Sequence, residues 1–77
     1  MPREKYYFGP MRVRQDQSAY SHIGIIKTSQ PEKDAMPFML YLNGPHKTKK
    51  CAIQAARYQF SFVRKWYFIN CTRPKGF

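Results

Sequence analysis

Residues 48–67 read TKKCAIQAARYQFSFVRKWY, and the reading of this stretch decides the fold. Thr48 suits an N-cap, because its hydroxyl can accept a bond from an N–H that the first helical turn leaves unpaired. From Lys50 onward, at 100° per residue, Ile53, Ala56, Phe60, Val63 and Tyr67 fall on one stripe, widened by Ala52, Ala55 and Trp66. Lys50, Gln54, Arg57, Ser61 and Arg64 fall on a separate arc with Lys65 at its margin, an arc of four cations and no acid. No Glu–Lys pair can offset that charge within the helix. Cys51, Tyr58 and Phe62 make a third strip, which gives the helix a second side open to contact.

An apolar stripe of that length needs a second layer, and the residues before it supply strand patterns. Tyr20 to Thr28 carries Ile23, Ile25 and Ile26; Phe38 to Asn43 sets Phe38, Leu40 and Leu42 against Met39 and Tyr41, and Asn43-Gly44-Pro45 ends it. Met11 to Arg14 alternates strictly, as an edge strand with its arginines outward would. Residues 15–19 and 29–35 read as polar connections. Residues 1–10, with Tyr6, Tyr7 and Phe8 before the Gly9-Pro10 break, read as an extended arm, and residues 70–77 as a basic tail. The expected fold is α+β, in one domain over residues 1–77. It is a small two- or three-stranded antiparallel sheet followed by one long amphipathic helix, with extended N- and C-terminal arms.

The charge distribution says more than its total. Residues 1–34 hold six basic and all four acidic side chains, whereas residues 35–77 hold eight basic side chains and no acid. Solvated surfaces ordinarily mix signs to limit self-repulsion, so the second half asks for an external anion, nucleic-acid phosphate first and anionic lipid second. Lys47, Lys49 and Lys50 crowd the helix N-terminus, where the macrodipole favours acids. A docked anion would reverse that repulsion.

The same segment carries a family resemblance. Gly44-Pro45-His46-Lys47-Thr48-Lys49-Lys50-Cys51-Ala52, followed by Ala55 and Ala56, resembles the strand-to-helix junction of the double-stranded RNA-binding domain. The resemblance implies that Lys49 and Lys50 grip phosphates and that Ala52 packs on the sheet. It covers residues 44–56 and departs at His46 and Ile53, and residues 1–20 show no first helix. What it implies is a sheet-plus-helix module with similar phosphate chemistry rather than a complete domain of that family.

Other chemistries find little support. Asp16, Ser18 and His22 are near one another only in sequence, and no carboxylate pair is spaced for acid–base work. There is no Gly-rich phosphate loop. Cys51 and Cys71 lack the close ligand pairs of a zinc site, so with His22 and His46 they are expected to hold no metal, and two free thiols suit a reducing compartment inside the cell. Cytoplasm and an organelle such as the mitochondrion fit equally. No apolar run approaches the ~20 residues of a membrane span, and the N-terminus has no apolar signal core.

The expectation is therefore a non-enzymatic, cofactor-free, RNA-binding structural subunit of a ribonucleoprotein assembly, ribosomal-protein-like, with neighbouring proteins and no small-molecule substrate. Its phosphate contacts would be Lys47, Lys49, Lys50, Arg57, Arg64, Lys65, Arg73 and Lys75, with Arg12 and Arg14. Tyr6, Tyr7 and Phe8 would be its base-stacking candidates. Two competing expectations are a peripheral accessory subunit of an organellar membrane-protein complex, using anionic lipid, and a small DNA-binding module of a mobile element or virus.

Overall fold

A computed structural model describes residues 3–14, 20–35, 38–63 and 65–75. In chain order these form β1 (Lys5–Met11), β2 (His22–Thr28), α1 (Pro31–Ala35), β3 (Asn43–His46), α2 (Lys49–Gln59) and β4 (Trp66–Ile69). The strands make one four-stranded sheet of order β3-β1-β2-β4. β1 is antiparallel to both β2 and β3, and β4 runs parallel to β2. β3 and β4 are thus parallel edges joined by α2 across the intervening β1–β2 pair, a split β-α-β arrangement.

The α+β class stands, but the sheet is larger than expected and mixed. β1 is an interior strand where an arm over residues 1–10 was expected. Its register explains this: Phe8 lies opposite Ile25 and Tyr7 opposite Ile26. Both faces of β1 are apolar, because both are covered. Tyr6 and Phe8 face α2 and join Ile23, Ile25, Ala52, Ile53 and Ala56 in one cluster. Tyr7 and Met11 face the other way, with Ile26, Ala35 and Met39.

Met11–Arg14 is not an edge strand, since Met11 closes β1 and Arg12 leaves the sheet. Pro10 sits inside β1 at a tolerant place. Its carbonyl accepts from the Leu40 N–H at 3.0 Å, so its N–H-less nitrogen faces that same side, where the pairing with β3 is already irregular.

The expected strand Phe38–Asn43 reduces to a bridge between Met39 and Met11, and the pairing resumes only at β3, through the Asn43-Gly44-Pro45 run expected to end it. Residues 29–35 contain the short α1, begun by Pro31. α1 is tied to β2 by the buried Thr28 hydroxyl, which donates to the Asp34 carboxylate and accepts from the Gln30 N–H at 2.9 Å.

α2 begins as the sequence indicates, with Thr48 Oγ1 accepting from the Cys51 N–H at 3.1 Å. It ends at Gln59, not near Tyr67. Phe60 has left helical geometry (φ −124°, ψ 51°). Trp66-Tyr67-Phe68-Ile69 beyond it are aromatic or β-branched, and β2 offers them an open edge. Trp66 and Phe68 turn toward α2, while Ile69 joins the opposite cluster. Adjacent residues that share a helical stripe thus separate onto opposite faces of a strand. Two layers flank the sheet: α2 on one face, α1 and residues 38–42 on the other.

Candidate nucleic-acid interface

β3 delivers His46 beside Tyr6, and the chain turns through Lys47 and Thr48 into α2 at that end of the sheet. His46 itself is a packing residue, its ring stacked on Phe8 at 5.5 Å. The inward side of α2 is filled by Ala52, Ile53 and Ala56, which leaves Lys50, Gln54 and Arg57 exposed on the outward side.

The tail does not extend away as an arm. The Lys49 ammonium donates to the Thr72 carbonyl oxygen at 2.7 Å, which folds residues 72–75 back along the start of α2. Lys49, Lys50, Ile53, Gln54, Arg57 and Pro74 then enclose a shallow depression of about 300 Å³. Arg73 and Lys75 flank Pro74 and are exposed. One of the three N-terminal lysines thus has a structural task, clasping the tail while still contributing its charge. Lys47 and Lys50 have no hydrogen-bond or ion-pair partner among the described residues.

Lys27 joins this group, although its place in the mixed-charge half gave no signal in the sequence. It lies opposite Tyr6 on the α2 face, with its ammonium 5.8 Å from the centre of the Tyr6 ring. Cys71 reports its position. Burial pushes that thiol above its ordinary value of 9.0, while the charges of Lys49 and Lys27 and a backbone hydrogen bond at Ile69 pull the other way. Lys27, Lys49, Lys50, Arg57, Arg73 and Lys75 therefore lie on the α2 side of the sheet, from the first turn of the helix to Arg57 in its last. The chain supplies no acid from residue 35 onward, and Glu32 and Asp34 ride on α1, on the opposite face of the sheet.

Other expected phosphate contacts stand elsewhere. Arg12 and Arg14 follow Met11, five residues along β1 from Tyr6, about 16 Å at strand rise. Arg12 is turned onto the Tyr20 ring at 5.4 Å, and Arg14 is exposed. Lys65 is exposed at the entrance to β4, where its carbonyl accepts from the Ile23 N–H. Arg64 lies outside the described residues.

The stacking candidates pack onto the two covered faces of β1, and Phe8 is corrected outright. Phe8 is 2% exposed and sits in the core, Tyr7 packs with the Met11–Ile26 cluster, and Tyr6 is held between that core and Lys27. Strand alternation buries Phe8 and half-buries Tyr6 and Tyr7, because both faces of β1 are covered. The freely presented rings are Tyr58, 93% exposed, and Phe62, 80% exposed. Tyr58 lies on the third strip visible in the sequence, near the end of α2, and Phe62 lies beyond the break at Phe60, past the end of that strip.

Cys51 is exposed and Cys71 is half-buried with its Sγ 3.7 Å from the Ile25 carbonyl oxygen; both are free thiols. His22 shares a 2.9 Å hydrogen bond with Ser21. Among the described residues no three His, Cys, Asp or Glu side chains gather as a metal site, and no helix is long and apolar enough to cross a membrane. Comparison with family models, with curated proteins and with solved structures finds no match to this chain.

Proposed function

We propose that this chain is a non-enzymatic RNA-binding structural subunit of a ribonucleoprotein assembly, which neutralises backbone phosphates along the outward side of α2. The observation that carries this reading is the gathering of Lys27, Lys49, Lys50, Arg57, Arg73 and Lys75 on one side of the sheet, drawn from β2, α2 and the folded-back tail. Such crowding is unfavourable in the free protein, and cations at a helix N-terminus add to the cost. A polyanion reverses both effects. Phosphate contacts of this kind position a partner without reading its sequence, which fits a subunit whose specificity comes from its place in an assembly.

The test is binding to labelled RNA by fluorescence anisotropy over a range of KCl concentrations. Six neutralised phosphates give log affinity against log salt a slope of about −5 on duplex and about −4 on a single strand. The pair K50Q/R57Q should flatten the duplex slope by about two. A slope near zero, or binding to anionic vesicles that RNA does not displace, would overturn the proposal. Duplex DNA in the same titration separates RNA preference from general phosphate binding.

A further inference from the structure

The geometry points to a base-stacking platform formed by Tyr58 and Phe62, which directs the chain to single-stranded RNA over duplex; this inference rests on the RNA-binding reading above. Two large rings, 93% and 80% exposed, stand four residues apart where α2 ends and the chain turns toward β4. Neither belongs to either core cluster. Leaving such rings in water gains nothing for the fold, since an aromatic side chain is among the largest apolar payloads a core can take.

Their surroundings select the occupant. Arg57 precedes Tyr58, Lys65 follows Phe62 by three residues, and Gln54, Gln59 and Ser61 are also exposed. The strip thus alternates flat apolar rings with cations and amides and contains no acid. A nucleic-acid single strand presents the complement, a π-face beside every phosphate. A duplex cannot, because its bases already stack on one another. A second copy of this chain would bring the same cations and be repelled. A membrane surface would need a broad apolar face, and the Ala52/Ile53/Ala56 stripe of α2 is already used against the sheet.

The rings also continue the cationic path. Arg57 both lines the depression that runs along α2 and adjoins Tyr58 in sequence. A strand whose phosphates follow Lys50 and Arg57 would bring its next bases over Tyr58 and Phe62. Stacking on each ring is worth about fivefold or more in affinity.

The experiment compares Y58A/F62A with the unaltered chain on oligo(U) of about a dozen nucleotides and on duplex RNA of similar length. The expected result is a loss of about 25-fold or more on the single strand, with the salt slope and the duplex affinity unchanged. The unaltered chain should prefer the single strand at matched salt, and 4-thiouridine placed in the oligonucleotide should photocrosslink to Tyr58 or Phe62. Y58F/F62Y should bind as the unaltered chain does, which separates stacking from any effect on folding. A loss below about threefold with the salt slope retained would overturn stacking while leaving the phosphate reading in place. So would a Y58A/F62A variant that releases anionic vesicles but keeps its RNA affinity. A slope near zero for the unaltered chain on both substrates would remove the phosphate reading, and stacking with it.

Discussion

Gly9 and Gly24 face each other across β1 and β2, yet alanine should be far more damaging at the first than at the second. A Cβ on Gly24 would meet Met11 Sδ at 2.8 Å and Met39 Cε at 3.2 Å. Both atoms belong to flexible side chains, and methionine readily changes rotamer; Met11 Cβ, also at 3.2 Å, has only to give by a few tenths of an ångström. Relief there costs about 1–2 kcal/mol, partly offset by the ~0.5–1 kcal/mol that alanine regains over glycine in a strand. A Cβ on Gly9 would instead press into the carbonyl oxygen of Tyr41, well inside the 3.0 Å below which real Cβ contacts essentially never fall. Backbone would have to move. Residues 38–41 are held to β1 by the Arg12 N–H to Phe38 oxygen bond and the Leu40 N–H to Pro10 oxygen bond, each 3.0 Å. Losing these costs about 1 kcal/mol each, and lifting Met39 from its 2%-exposed site adds about 2 kcal/mol. G9A should therefore lose about 4 kcal/mol, which lowers Tm by roughly 15–30 °C in a domain of this size. G24A should lose no more than about 1.5 kcal/mol net of these opposing effects. Thermal melts followed by circular dichroism measure both. A G9A variant within about 5 °C of the unaltered protein, or one more stable than G24A, would refute the close approach of residues 38–41 to the sheet.

Four further outcomes follow from single groups. T48A removes the acceptor of the Cys51 N–H and should cost about 1 kcal/mol, or roughly 4–8 °C in Tm; an unchanged Tm would deny the cap. T28V keeps the shape of a buried side chain but strands its partners at Asp34 and Gln30, so chemical denaturation should show a loss of about 1–2 kcal/mol. Cys51, being exposed, should be alkylated by iodoacetamide well before Cys71 at neutral pH, as peptide mass mapping would show, because the thiolate is the reactive form and burial raises the Cys71 thiol. The fold should also lose stability in alkali. A thiol raised above 9.0 keeps its proton in the fold longer than in the unfolded chain, so its contribution is intact below pH 9 and is lost as pH climbs through the raised folded value. Equal alkylation rates for the two cysteines would contradict the packing of Cys71 against Ile25.

Where the fold was legible in the sequence, one periodicity stood alone. Ile23, Ile25 and Ile26 mark β2, and Thr48 with Ile53 and Ala56 marks the start of α2 and its buried side. Where it was not, two periodicities fitted the same residues. Phe60, Val63 and Tyr67 continue a helical stripe on paper, yet the chain breaks at Phe60 and gives Trp66–Ile69 to β2 as a parallel edge. Only the vacancy beside β2, a tertiary fact, decides between them. Tyr6-Tyr7-Phe8 reads as an exposed aromatic arm only while its two faces have no known cover. The candidate interface divides in the same way. Lys50 and Arg57 were readable from helical spacing. Lys27 was hidden among residues of mixed charge, and the convergence of Arg73 and Lys75 on α2 depends on one bond from Lys49 to Thr72.

That bond bears on how a chain this small reconciles stability with charge. Six of its cations, Lys27, Lys49, Lys50, Arg57, Arg73 and Lys75, lie on the α2 side of the sheet, where they repel one another, and Lys49 and Lys50 also oppose the helix dipole. The Lys49–Thr72 bond turns one of the offending charges into a fastening that holds the tail against α2. The same fastening brings Pro74, between Arg73 and Lys75, into the depression lined by Lys50, so the contact that orders the tail also adds charge to that side. α1 keeps Glu32 and Asp34 on the far side, and Asp34 is bound there by Thr28, where it cannot neutralise the cluster. The arrangement keeps both acids of α1 off the face that carries Lys27, Lys49, Lys50 and Arg57, and the proposed polyanion contact rests on that separation.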